Sequence, residues 1–150
     1  MGIEPEDYYD DIGEEEWERS EDLFVHSVEH NNTYPYLEQH LPDDGHILDA
    51  GGAAGRYAVW LAERGYEVTL IDISGEQLRI AREKLKERGL LERVSIQEGD
   101  IRDLDFQDRT FDAVLCLGGP LSHVVDENER RAAAADLVGV MLAFVGYYVY

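Results

Sequence analysis

The chain has 150 residues and a formal net charge of -20, with 33 acidic side chains against 13 basic ones. That length supports one hydrophobic core and one domain, and the charge argues against a nucleic acid or an anionic membrane as partner, since both need a basic face. No run reaches the ~20 apolar residues of a membrane span, and the acidic start with Glu4, Glu6 and Asp7 lacks the basic and apolar regions of a signal peptide, so a cytoplasmic protein is expected.

Residues 1–13 are acidic and carry Pro5 with two glycines, which predicts a mobile or loosely docked start. Glu14 to His30 reads as a helix with Trp17, Phe24 and Val28 on one stripe, broken at Asn31 and Asn32. A short helix then runs from about Pro35 to Leu41 before Pro42 and Gly45 turn the chain. Ile47 and Leu48 have strand character and end in Asp49, followed by the glycine-rich Gly51-Gly52-Ala53-Ala54-Gly55 and a helical pattern over Arg56 to Arg64 that stops at Gly65. A loop of this kind feeding a helix start lets the backbone touch a nucleotide-like ligand.

Glu67 to Asp72 is a second strand. Ser74 and Gln77 form a capping box for the next helix, Gly75 to Arg88, whose inner face carries Leu78, Ala81 and Leu85. A third strand holds Val94 and Ile96 and ends at Glu98-Gly99-Asp100-Ile101. Phe111 to Leu117 is a fourth strand with the near-continuous apolar run of one covered on both faces, and it leads into Gly118-Gly119-Pro120. Asp126 and Glu129 make another capping box, Arg130 to Val140 reads as a helix with Ala132 to Ala135 close to the sheet, and Phe144 to Val149 suits a fifth strand. Cys116, the sole cysteine, lies in an apolar run and reads as a buried inert thiol. No metal-ligand cluster stands out.

Two ligands could use the glycine loop. A dinucleotide fingerprint needs glycine at positions 50, 52 and 55, and position 50 is Ala50. Asp49 would also oppose a pyrophosphate and favour a ligand with a cationic end. The pattern Asp-x-Gly-x-x-x-Gly, filled by Asp49, Gly51 and Gly55, resembles the first motif of the class I S-adenosylmethionine-dependent methyltransferases, which commonly have a third glycine where this chain has Ala53. The resemblance covers roughly residues 34–140 and implies a Rossmann-like doubly wound α/β fold. Its sheet would be mostly parallel, of order 3-2-1-4-5 and lacking the last two strands of the full family sheet, in a domain over 46–150 with an N-terminal helical lid over 1–45.

It also implies site roles. Asp49, Gly51, Gly52, Ala53 and Gly55 would form the cofactor loop. Asp72, with Ile73 beside it, would accept the ribose hydroxyls, as an acid about twenty residues beyond the loop is placed to do, and the capping role of Ser74 would leave it free. Asp100 would take the adenine amino group with Ile101 packing on the ring, while Leu117 and Gly118 would lie beside the methionyl part. Tyr8, Tyr9 and Trp17 in the lid would either shape a substrate pocket or pack on the core. His123 would either take a proton from the acceptor or serve as a loop histidine with a structural hydrogen bond.

The activity implied is methyl transfer to a small-molecule acceptor. The rivals are an idle S-adenosylmethionine-binding module and an NAD-binding oxidoreductase of the same sheet class. Acid excess with only Lys84 and Lys86 for lysine resembles proteins of organisms that live in concentrated salt. An exposed apolar edge at the fifth strand would favour a homodimer.

Overall fold

A computed structural model describes residues 5–13, 15, 17, 18 and 29–142. Four parallel strands, β1 (His46–Ala50), β2 (Glu67–Asp72), β3 (Val94–Glu98) and β4 (Ala113–Leu115), form one sheet of order β3-β2-β1-β4. The helices are α1 (Pro5–Ile12), α2 (Tyr34–His40), α3 (Arg56–Glu63), α4 (Gly75–Glu87), α5 (Pro120–His123) and α6 (Glu127–Gly139). The order reverses between β1 and β4. In an open parallel sheet that crevice is where ligands bind.

Strand alternation sorts the core into two layers. Ile47, Val68 and Leu70 face one side and pack with Ala58, Leu61, Leu78, Ala81 and Leu85 of α3 and α4. Leu48, Ala50 and Ile71 face the other side and pack with Phe111, Val124, Leu137 and Val140. β1 is therefore apolar on both faces, as a central parallel strand must be. Asp49 shares the Ile47 side and is 1% exposed.

Several expectations are corrected. Residues 5–12 are a helix docked on α4, not a loose start, because the Gln77 side chain, the Glu76 N–H and the hydroxyl of the preceding Ser74 engage its polar groups. Asn31 and Asn32 do not end the helical backbone: Glu29–Thr33 is π-helical and runs straight into α2. β4 is shorter than expected, since Phe111 pairs instead in an isolated bridge with Met141 beyond α6. In α6, which begins three residues earlier than expected, Ala133 and Leu137 are buried while Ala132 and Ala135 are exposed.

The Ser74–Gln77 box is half made. Ser74 Oγ accepts from the Gln77 N–H at 3.1 Å, but the Gln77 side chain turns to α1, and the Ser74 N–H donates to Asp72. Asp72 is thus not left free. Most of the helix expected over 14–30, including Phe24 and Val28, and the fifth strand over 144–149 with its dimer edge lie outside the described residues. Trp17 is buried against the α3 and α4 layer. Among the described residues no helix is long and apolar enough to cross a membrane.

Candidate functional site

The loop after β1 folds back over the tip of β2. The N–H groups of Gly51 and Gly52 both donate to the Ile71 carbonyl, at 2.8 and 3.2 Å, and the Gly55 N–H donates to the Gly52 carbonyl at 2.9 Å. Gly51 has φ +71°, a left-handed value suited to glycine, and Ala53 adopts φ +46° despite its Cβ. Within this loop positive φ falls on Gly51, Ala53 and Gly55, not on Gly52.

Asp72 binds this loop to the next helix. One carboxylate oxygen accepts the Ala53 N–H at 2.8 Å and the other accepts the Ser74 N–H at 2.9 Å. Each oxygen keeps further acceptor capacity. Burial pushes the Asp72 carboxyl above its ordinary range, against the lowering effect of the Ser74, Ala53 and Ile73 N–H groups.

Above the loop lies a cleft of 480 Å³ at the C-terminal ends of the strands, a volume in the range of small-molecule sites. Gly51, Gly52, Ala53, Asp72, Ile73, Asp100, Ile101, Leu117, Gly118 and His123 all line it. Asp49 and Gly55 do not. Gly55 instead begins α3 with φ +78° and faces Ala81 of α4.

Asp49 sits beneath the loop. The Ala58 N–H, in the first turn of α3, hydrogen-bonds to its carboxylate, while Oδ2 is buried without a partner. Burial first, and then the charge of Asp72, push its carboxyl up to about 7. Strand alternation held the signal for this: a residue two beyond Ile47 points to the α3 side, not over the strand tip.

Asp100 is engaged by Arg102, whose Nη2 lies 2.5 Å from Oδ2, and this side chain holds the Asp100 carboxyl below the usual range. Ile101 is 7% exposed. At the other end, Gly118 and Gly119 take φ +78° and +98° and carry the single-turn helix α5. His123 ends that helix, its Nε2 hydrogen-bonded to the Tyr9 hydroxyl at 3.2 Å.

Tyr9 and Trp17 line the cleft, whereas Tyr8 is 48% exposed. Arg56 and Tyr57 of α3 also line it and were missed by sequence reasoning, although their place directly after the glycine loop marks them. Cys116 is half-buried, and burial pushes its thiol up to about 11, as expected of an unreactive group. Among the described residues no group of His, Cys, Asp and Glu could hold a metal ion.

The lining suits a hydroxyl-bearing ligand with a cationic end. It holds three carboxylates, of Glu6, Asp72 and Asp100, against two guanidiniums, of Arg56 and Arg102, and that of Arg102 is committed to Asp100. S-Adenosylmethionine, with ribose hydroxyls, an ammonium group and a sulfonium, fits this donor set.

Residues 47–141 match a family model described as a methyltransferase domain. The chain is 41% identical over 86 residues to a phosphatidylethanolamine N-methyltransferase of Cereibacter sphaeroides, covering 57% of this chain and 41% of that protein. It is 33% identical over 95 residues to a glycine/sarcosine N-methyltransferase of Halorhodospira halochloris, covering 63% and 35%. A SAM-dependent methyltransferase structure from Methanosarcina mazei superposes with a TM-score of 0.66 at 30% identity, covering 72% of this chain and 52% of the other. The chain thus spans 41% and 35% of the lengths of the two curated relatives.

Proposed function

The chain belongs to the methyltransferase-domain family, and from that premise we propose that it binds S-adenosylmethionine in the cleft above the glycine loop and transfers the methyl group to a small-molecule acceptor in the cytoplasm. One observation carries the assignment of the cleft: candidate residues from four separate strand ends, Gly51, Asp72, Asp100 and Gly118 among them, line a single cavity.

When bound, the cofactor supplies an electrophilic methyl group on a sulfonium. The chain's own residues bind and orient. Asp72 accepts the ribose hydroxyls with the lone pairs left over from Ala53 and Ser74. Asp100 and Ile101 take the adenine, Asp100 as an acceptor steadied by Arg102 and Ile101 as an apolar surface. Gly51 and Gly52 keep Cβ atoms out of the loop, Leu117 and Gly118 wall the methionyl end, and His123 stands at the acceptor end.

Holding an acceptor in line can contribute roughly 7 to 11 kcal/mol to lowering the barrier, so orientation carries more of the work than a base. The segment before residue 46, with α1 and α2 as its described α-helices, serves as a lid. Phosphatidylethanolamine and glycine or sarcosine are named for the two curated relatives, and they support an amine acceptor as the first class to try. The acid excess supports a working environment of concentrated salt, where screening offsets self-repulsion.

The test is transfer of labelled methyl from S-adenosylmethionine to fractionated small metabolites, run from low to molar salt. Label in a small-molecule fraction that depends on the protein supports the reading. Cofactor binding with no labelled product at any salt concentration contradicts transfer and leaves a binding module.

A further inference from the structure

Resting on the reading of the cleft as a methyl-transfer site, we infer that Tyr9 is a positioning residue: its hydroxyl holds His123 by Nε2 across the cleft and leaves Nδ1 as the nitrogen available to an acceptor. Two independent sets of contacts lead there.

The first set fixes the α1 backbone without using the Tyr9 side chain. Gln77, wholly buried at the start of α4, donates its amide hydrogens to the carbonyls of Tyr9 at 2.9 Å and Gly13 at 3.0 Å. Asp10 accepts from the Ser74 hydroxyl and from the Glu76 N–H, the latter at 3.3 Å. Helix α1 is therefore seated on α4, at the Asp72 end of the cleft.

The second set starts from the Tyr9 ring and runs to the opposite wall. Its hydroxyl lies 3.2 Å from His123 Nε2, the two rings meet edge to face with centroids 5.7 Å apart, and Tyr8 packs edge-on behind Tyr9 at 5.2 Å. His123 needs such a support. It is exposed, it ends a helix of four residues, and that helix hangs on Gly118 and Gly119, both left-handed. An exposed imidazole on such a mount samples several rotamers, and the hydrogen bond with the edge contact selects one. Donation from Nε2–H to the Tyr9 oxygen is the tautomer that leaves Nδ1 as a proton acceptor.

The experiment uses the whole chain, labelled with nitrogen-15, and the substitution Tyr9→Phe, which keeps the ring and removes the hydroxyl. Long-range nitrogen–proton spectra are expected to show one dominant His123 tautomer in the original protein. In Y9F the Nε2 resonance is expected to move by several parts per million, with amide protection over residues 5–12 and the melting temperature unchanged because Gln77 still holds the helix. With a competent acceptor, Y9F is expected to lower kcat about tenfold and leave the cofactor KM in place.

Unchanged His123 nitrogen resonances in Y9F would overturn the inference, and so would loss of protection over α1, which would make Tyr9 a packing residue. Failure of the original protein to bind S-adenosylmethionine would end the methyl-transfer reading instead, while the nitrogen resonances would still decide the Tyr9–His123 pairing.

Discussion

A Cβ placed on Gly52 would stand 2.5 Å from Oδ2 of Asp49 and against the Leu70 side chain. The glycine at this position is therefore required by what lies beneath the loop, not by an unusual φ. Gly52→Ala should overpack the junction and cost roughly 1 to 3 kcal/mol. Urea denaturation checks this, and a midpoint equal to that of the original protein would refute the contact.

The same carboxylate makes stability depend on pH. Asp49 has its folded-state pKa raised from 3.8 to about 7, so the folded chain holds this proton more tightly than the unfolded one. Its contribution is fully present below the unfolded value and is lost as pH rises through 7. Across that window the loss is at most about 4 kcal/mol, or roughly 1.4 kcal/mol per pH unit. Asp72, also raised, acts in the same direction, and Asp100, lowered, acts in the opposite one. The difference between the original protein and Asp49→Asn isolates the effect. Melting curves from pH 4 to 8 in fixed high salt should show the original losing stability relative to D49N, and parallel curves would contradict the assignment.

Ala53 gives a prediction of opposite sign. Its φ of +46° costs a residue with a Cβ roughly 1 to 2 kcal/mol, while glycine costs back part of that through unfolded-state entropy. Ala53→Gly should stabilise the chain by about 0.5 to 1 kcal/mol, because the N–H to Asp72 is kept. A lower urea midpoint in A53G would show that this backbone is not strained.

Much of this was legible along the chain. β2 and β3 follow from apolar residues bounded by turn signals, and α3 and α4 end beside Gly65 and Gly89, where the positive φ values fall. Strand order came only from resemblance, since parallel pairing between β1 and β4 joins residues about 66 apart and local pattern says nothing of that. Contacts across such distances account for what was missed. Gln77 reads locally as half of a capping box, yet its amide is drawn off by carbonyls 68 and 64 residues away. That competition also turned Asp72 into the partner of the Ser74 N–H. Asp49 was misjudged in orientation although its register was visible, because a polar residue next to a glycine loop invites a ligand role before a capping one. Tyr9 and His123 were each singled out, but nothing local joins them.

The central claim is that the cleft over Asp72 seats a cationic adenosyl donor and not a diphosphate. Calorimetric titration of the chain and of Asp72→Ala with S-adenosylmethionine and with NAD, each at low and molar salt and with folding checked by circular dichroism, tests it most directly. The account predicts one S-adenosylmethionine per chain, no heat with NAD, and an affinity in the folded D72A weaker by roughly 2 to 4 kcal/mol, about 30- to 1,000-fold. Binding of NAD in place of S-adenosylmethionine, or an unchanged affinity in D72A, would contradict it.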